Sequence, residues 1–135
     1  MSTLARAISL AVEYHNGQFR RDGITPYILH PMRVMLVAIE FGREYAIVGI
    51  LHDTIEDTAL TLADLVKEGF SKEITDSIEL LTLTSNVTYN DYLAAIKDNK
   101  IARLVKIIDI EDNLSDAPTE KQKAKYELAL AFLKL

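Results

Sequence analysis

The sequence predicts an all-α fold in a single domain. Three observations carry that expectation. Apolar residues recur at three- and four-residue intervals in almost every segment, no stretch sustains strand-like alternation, and Ser, Thr, Gly and Pro stand where the periodic runs begin and end. No internal repeat and no linker divides residues 1–135, so one domain of about seven or eight helices is expected.

The first helix spans about 3–16, with Leu4, Ala7, Ile8, Ala11 and Val12 on one face and Ser2 or Thr3 as its cap. The stretch NGQFRRDGITPY, with its two Gly and one Pro, then reads as a loop, extended where Thr25 and Tyr27 flank the Pro. A second helix opens at His30-Pro31, where Pro suits the first turn, and runs to Gly42. The third, about 43–55, contains AIVGIL and should be the most buried. Thr61 and Asp64 form a capping pair for a short helix that ends at Gly69, and Ser71 caps the next, ending near Leu83. After the turn-like TLTSNVTYN, helices near 90–98, 100–114 and 118–134 complete the chain, with Asp116 and Pro118 marking the last start.

Composition excludes several functional classes. Hydrophobic residues make up 49% and charged residues 26%, an ordinary globular balance. The net charge is −5 and no Lys/Arg cluster forms a stripe, so binding of nucleic acid duplexes is not expected, because it depends on many cation–phosphate contacts. A single nucleotide is different, since a few cations and a metal ion suffice. The absence of Cys excludes disulfides, thiolate catalysis and Cys-based metal clusters. The longest apolar run, 45–51, is too short to span a bilayer, and the N-terminal residues show no signal-peptide pattern. No membrane partner is expected, and the expected location is cytoplasmic.

Chemistry concentrates at three of the predicted helices. His30 stands where a loop enters a helix, and His52 lies at the end of the apolar AIVGIL run beside Asp53. The segment LHDTIEDT places four ionisable side chains in six residues, three of them acidic, and a cation resolves their repulsion. In LVKIIDIEDN, Lys106, Asp109 and Asn113 share a helical face, and Asp109 interrupts an apolar run. Asp109 reads either as a partner of Lys106 or as a metal ligand. Taken together, His30, His52, Asp53 and Asp109 form a mixed nitrogen and oxygen set suited to Mn²⁺, Fe²⁺, Mg²⁺ or Zn²⁺. His15 could approach the metal, but the negative end of the first helix is its expected partner. Tyr89 and Tyr92 are expected to pack in the core, and the apolar last helix to dock on the body or on another subunit of a homo-oligomer.

The run GQFRRDGITPYILHPMRV, followed by LHDTIEDT and then VKIIDIEDN, resembles the hydrolase domain of RelA/SpoT-type alarmone enzymes within the HD phosphohydrolase superfamily. The resemblance covers about residues 1–115 and is nearest in size to the stand-alone small alarmone hydrolases. It implies Mn²⁺ held by His30, His52, Asp53 and Asp109, with Glu56 and Asp57 serving the hydrolytic step. It also implies Arg20 and Asn113 near the substrate; on chemical grounds Arg20, with Lys106, could offset charge on the phosphoryl oxygens. The activity implied is removal of the 3′-pyrophosphate of (p)ppGpp. A divalent ion lowers the pKa of a water so that hydroxide is available near neutral pH. The chain is too short to include a synthetase domain as well, so synthesis of alarmone is not expected.

The sequence also departs from the larger enzymes. Their third motif usually carries an Arg after the Asp and a His before the Asn, where this chain has Ile110 and Asp112; Ser115 replaces a further Arg. Fewer cations and one extra acid predict a weaker grip on (p)ppGpp. Three readings follow: an alarmone pyrophosphohydrolase, an HD phosphohydrolase for another nucleotide, and a metal- or nucleotide-binding module without turnover. Intact Glu56 and Asp57 oppose the third.

Overall fold

In the computed structural model, which describes residues 3–135, helix α3 (Arg43–Leu51) runs through the middle of the molecule. Helices α1 (Leu4–His15), α2 (Leu29–Ala38), α6 (Lys72–Leu81) and α8 (Lys100–Leu114) pack around it. Every residue of α3 from 46 to 51 is buried, as AIVGIL predicts. Gly49 lets α2 approach closely: a Cβ there would lie 3.3 Å from the backbone N and Cα of Met35. That close approach puts His30, near the start of α2, beside the end of α3.

The chain is completed by α4 (Thr54–Asp57), α5 (Leu62–Lys67), α7 (Tyr89–Lys97) and α9 (Glu120–Lys134), and a 3₁₀ turn at Ile39–Phe41 extends α2. The caps follow the sequence closely. The Thr3 side chain accepts from the Arg6 N–H, Ser71 does the same for Ile74, and Thr61 with Asp64 forms a reciprocal capping box. The alternative cap Ser2 lies outside the described residues. Helix α9 starts differently from expectation: Thr119 caps it in a box with Gln122, after Ala117 adopts a left-handed φ of 46°. On α9, Leu133 is fully buried against the body, whereas Leu128 stays exposed.

The largest departure lies at residues 52–53. The single helix expected over 43–55 breaks there, with Asp53 at φ −117° and ψ 10°, and a one-turn helix resumes at Thr54. The cause is local. His52 Nδ1 lies 2.7 Å from the Gly49 carbonyl, an oxygen that a continued helix would offer to the Asp53 N–H. The His-Asp pair therefore occupies a kink, so its side chains do not follow the face of one helix.

The loop over 16–27 is better ordered than its composition suggests. Phe19 and Pro26 form an isolated antiparallel bridge, with the Arg20 N–H bonded to Thr25 O at 2.8 Å and the Tyr27 N–H to Gln18 O at 2.9 Å. This hairpin-like turn carries Gln18, Arg20 and Tyr27 to the kink. Among the described residues no helix is long and apolar enough to cross a membrane.

Candidate metal centre

Three of the four expected ligands meet in the interior. One ligand atom each from His30, His52 and Asp109 lies within 4.8 Å of the others, and all three residues are buried. Asp109 Oδ1 is the common point, 2.7 Å from His30 Nε2 and 3.2 Å from His52 Nε2. Helices α2 and α8 and the α3–α4 kink each contribute one residue, so only the folded chain assembles the group.

The second ring nitrogen of each histidine is already engaged. His52 Nδ1 faces the Gly49 carbonyl, which only accepts, so the ring proton sits there. His30 Nδ1 faces Asp112 Oδ2 at 2.6 Å. A neutral imidazole carries one N–H, yet both nitrogens of each ring meet acceptor oxygens. A proton or a metal ion must therefore lie between the Nε2 atoms and Asp109. Burial alone would push the His52 imidazole down, but the carboxylates of Asp53 and Asp109 outweigh it and raise it to about 9. Burial would raise Asp109, but Lys106, His52 and His30 hold it well below the usual carboxylate range. The donor set suits a divalent ion, which would replace the protons.

Asp53, the fourth expected ligand, stands just outside this group. Its Oδ2 is 3.6 Å from His52 Nε2 and accepts a short hydrogen bond from the Tyr27 hydroxyl. Its Oδ1 lies 3.2 Å from His15 Nε2, and among the described residues neither of these two buried atoms has a hydrogen-bond partner. His15 Nδ1 in turn faces Gln18 Oε1 at 2.7 Å, and the Gln18 amide donates to the Asp57 carbonyl at 2.8 Å. His15 does end α1 as expected, but its ring is buried and turned toward Asp53 instead of the helix terminus. Sequence reasoning preferred the helix terminus for His15 over an approach to the metal, and it did not foresee the parts of Gln18 and Tyr27. The available signal was the clustering of His15, Gln18 and Tyr27 on either side of one loop.

A cavity of about 180 Å³ opens beside the metal group, with Glu56, Asp57, Lys106, Asn113 and Tyr92 on its walls. Four carboxylates line it, those of Asp53, Glu56, Asp57 and Asp109, and Lys106 is its one lysine. The Lys106 ammonium lies 3.1 Å from Asp109 Oδ2 and 5.3 Å from the Tyr92 ring centre. Asp109 thus pairs with Lys106 through Oδ2, one of its two sequence readings, while its Oδ1 faces the two histidines. Burial would lower the lysine, and Asp109 overrides it upward. Asp57, burdened by burial and by Asp53 and Glu56, is raised to about 6. Glu56 accepts the Leu83 N–H at 2.7 Å. Tyr92 packs in the core as expected, with its hydroxyl donating to Leu81 O at 2.8 Å.

Arg20 and Asn113 connect to the group indirectly. Asn113 Nδ2 is 3.3 Å from Asp109 Oδ1, and Arg20 Nη2 is 3.4 Å from Asn113 Oδ1. The Arg20 guanidinium is tied to Asp116 at 2.5 and 2.9 Å and lines a neighbouring cleft, not the metal cavity.

Of the two departures from the larger enzymes' motif, neither Ile110 nor Asp112 is among the residues that line the cavity. Ile110 is fully buried in the core. Asp112 points toward α2, where Arg33 binds both its oxygens at 2.7 and 3.0 Å and His30 contacts one of them. Its charge is neutralised on the far side of the histidine.

No protein-family model matches the chain. Individual proteins do. A guanosine-3′,5′-bis(diphosphate) 3′-pyrophosphohydrolase of Aquifex aeolicus is 30% identical over 137 aligned positions, covering 93% of this chain and 19% of that protein. A GTP pyrophosphokinase of Streptomyces coelicolor is 32% identical over 136 positions, covering 90% of this chain and 16% of its own length. The chain thus spans about a fifth or less of these curated relatives. A solved structure of a metazoan ortholog of SpoT that hydrolyzes ppGpp superposes with a TM-score of 0.77. At 21% identity, over 98% of this chain and 84% of that one, it shows a shared fold.

Proposed function

We propose that this chain, RelA/SpoT-like along nearly its whole length, is a one-domain metal-dependent pyrophosphohydrolase that removes the 3′-pyrophosphate of (p)ppGpp. The observation that carries the reading is the convergence of His30, His52 and Asp109 within 4.8 Å, with both histidines' remaining nitrogens already occupied. Asp53, whose Oδ2 lies 3.6 Å from His52 Nε2, would be the fourth ligand. The substrate is that of the similar Aquifex aeolicus pyrophosphohydrolase.

When bound, Mn²⁺ or a similar divalent ion supplies Lewis acidity to a water and to a phosphoryl oxygen. The chain's own groups do the rest. Four carboxylates facing a polyanion would repel it, so phosphate would need both a bound divalent ion and Lys106 to offset them. Lys106 offsets charge on the phosphoryl oxygens. Asp57, raised to about 6, can hold a proton for the leaving oxygen, while Glu56 orients the attacking water. Asn113 bridges the metal group to Arg20, which steadies the nucleotide at the rim. A cavity of about 180 Å³ is smaller than the roughly 300–1,000 Å³ that engulfs a drug-sized ligand, so it takes the pyrophosphate and leaves base and ribose outside.

The test is incubation with Mn²⁺ and a panel of (p)ppGpp, other nucleoside polyphosphates and nucleoside monophosphates, with phosphate and pyrophosphate release read separately. Pyrophosphate release from (p)ppGpp is expected. Release of phosphate from monophosphates alone would move the reading to a different HD phosphohydrolase, and metal binding without turnover would reduce it to a binding module.

A further inference from the structure

We infer that Asp112, clamped by Arg33, is a positioning residue for the metal group: it holds the His30 ring through Nδ1 so that Nε2 faces the ion. The inference rests on the metal-centre reading above.

Helices α2 and α8 face each other through a two-rung ladder. One rung is His30 with Asp109, and the other is Arg33 with Asp112. Each pair of residues is one helical turn apart on its own helix, so both rungs lie on the same faces. A diagonal joins them: His30 Nδ1 to Asp112 Oδ2 at 2.6 Å. The His30 side chain is 1% exposed and Asp112 12%, so solvent does not compete for this contact. Metal-binding histidines commonly donate their other N–H to a carboxylate, which fixes the tautomer and strengthens the donor nitrogen. Arg33 has its own part. By binding both oxygens of Asp112, it keeps a second carboxylate beside a buried imidazole from becoming an uncompensated charge and sets the angle from which Oδ2 meets the ring.

The residue is specific to this chain's version of the motif. Asp112 occupies the place directly before Asn113, where the larger enzymes that the chain resembles usually carry His. Read as a charge near substrate, it looks like a liability; read in the fold, it supports the ligand.

The experiment is Mn²⁺ titration by calorimetry on the wild-type chain, Asp112→Ala, Asp112→Asn, Asp112→Glu and Arg33→Gln, at temperatures below every melting point. It needs no nucleotide, so it reads independently of substrate identity. Asp112→Ala is expected to weaken Mn²⁺ about 10–100-fold. Asp112→Asn, whose amide oxygen still accepts the N–H, should lose less, and Asp112→Glu should restore part of the affinity. Nitrogen-15 spectra of the Zn²⁺-loaded wild type should show His30 protonated at Nδ1 and metal-bound at Nε2. A merely structural tie between helices would lower the melting temperature of Asp112→Ala and leave its affinity at the wild-type value, which overturns the inference. So does the opposite tautomer in the wild type, a reading that stands even if Asp112→Ala fails to fold. A wild-type chain that binds no metal overturns the inference together with the metal centre, whereas metal binding without pyrophosphate release removes only the substrate assignment.

Discussion

Replacing Lys106 with Met separates the two demands placed on Asp109. The ammonium lies 3.1 Å from Asp109 Oδ2, with the side chains 15% and 7% exposed. At an effective dielectric of about 20, unit charges at that distance attract by on the order of 5 kcal/mol, and removing one partner of a buried pair costs about 3–5 kcal/mol. His30 and His52 also face Asp109, so the lower end applies: a loss of about 3 kcal/mol in the metal-free protein. For a chain of this size that is a fall of roughly 10 °C in Tm. Metal affinity should move the other way. The variant removes a cation that repels the ion and leaves Asp109 Oδ2 free, so Mn²⁺ should bind more tightly and restore more Tm than it adds to the wild type. Turnover should still fall, by about 100-fold, because no other lysine lines the cavity. Calorimetry with and without Mn²⁺, followed by kcat/KM, measures all three. A variant whose metal-free Tm drops by less than about 3 °C, or whose Mn²⁺ affinity weakens, would refute the electrostatic reasoning.

Three further outcomes follow from the same geometry. His52 is raised to about 9, so in the metal-free protein its stabilisation is present below the ordinary imidazole value of about 6.5 and is lost as pH rises through about 9. Because metal must displace that proton, Mn²⁺ affinity should climb about tenfold per pH unit toward 9; a flat titration between about pH 7 and 8.5 contradicts this. Asp57→Asn and Glu56→Ala should keep the metal and lose about 100-fold or more in kcat. Asp57→Asn should also erase an inflection near pH 6, so wild-type turnover or an unchanged pH profile in that variant would exclude Asp57 from proton transfer. Gly49→Ala sets a Cβ 3.3 Å from the Met35 backbone, which should cost about 1–3 kcal/mol and weaken Mn²⁺ by displacing α2; unchanged Tm and affinity would show that α2 yields without strain.

Helix positions were legible because periodicity and caps are local: Thr61 with Asp64, Ser71 and the buried AIVGIL run act over a few residues, and the fold obeys them. The convergence of His30, His52 and Asp109 was legible for another reason. Ionisable groups set in apolar runs need partners, and few partners were available. What escaped depends on contacts between distant segments. The kink at Asp53 arises from a histidine ring taking a helix carbonyl, which no propensity encodes. His15 and Tyr27 reach Asp53 only because the loop over 16–27 folds back through the Phe19–Pro26 bridge.

Asp112 shows where counting charges along a motif fails. Asp112 and Asn113 are neighbours on α8, but successive residues on a helix point about 100° apart. Asn113 lines the cavity beside Asp109, while Asp112, on the side of Asp109 that faces α2, is met by Arg33, 79 residues away in the chain. Arg33 pairs with the added acid, and the His30 ring stands between it and Asp109. The same carboxylate acts on the site through geometry instead, by fixing which nitrogen of His30 is free to bind. Charge at a motif position acquires its sign of effect only once the facing helix is known.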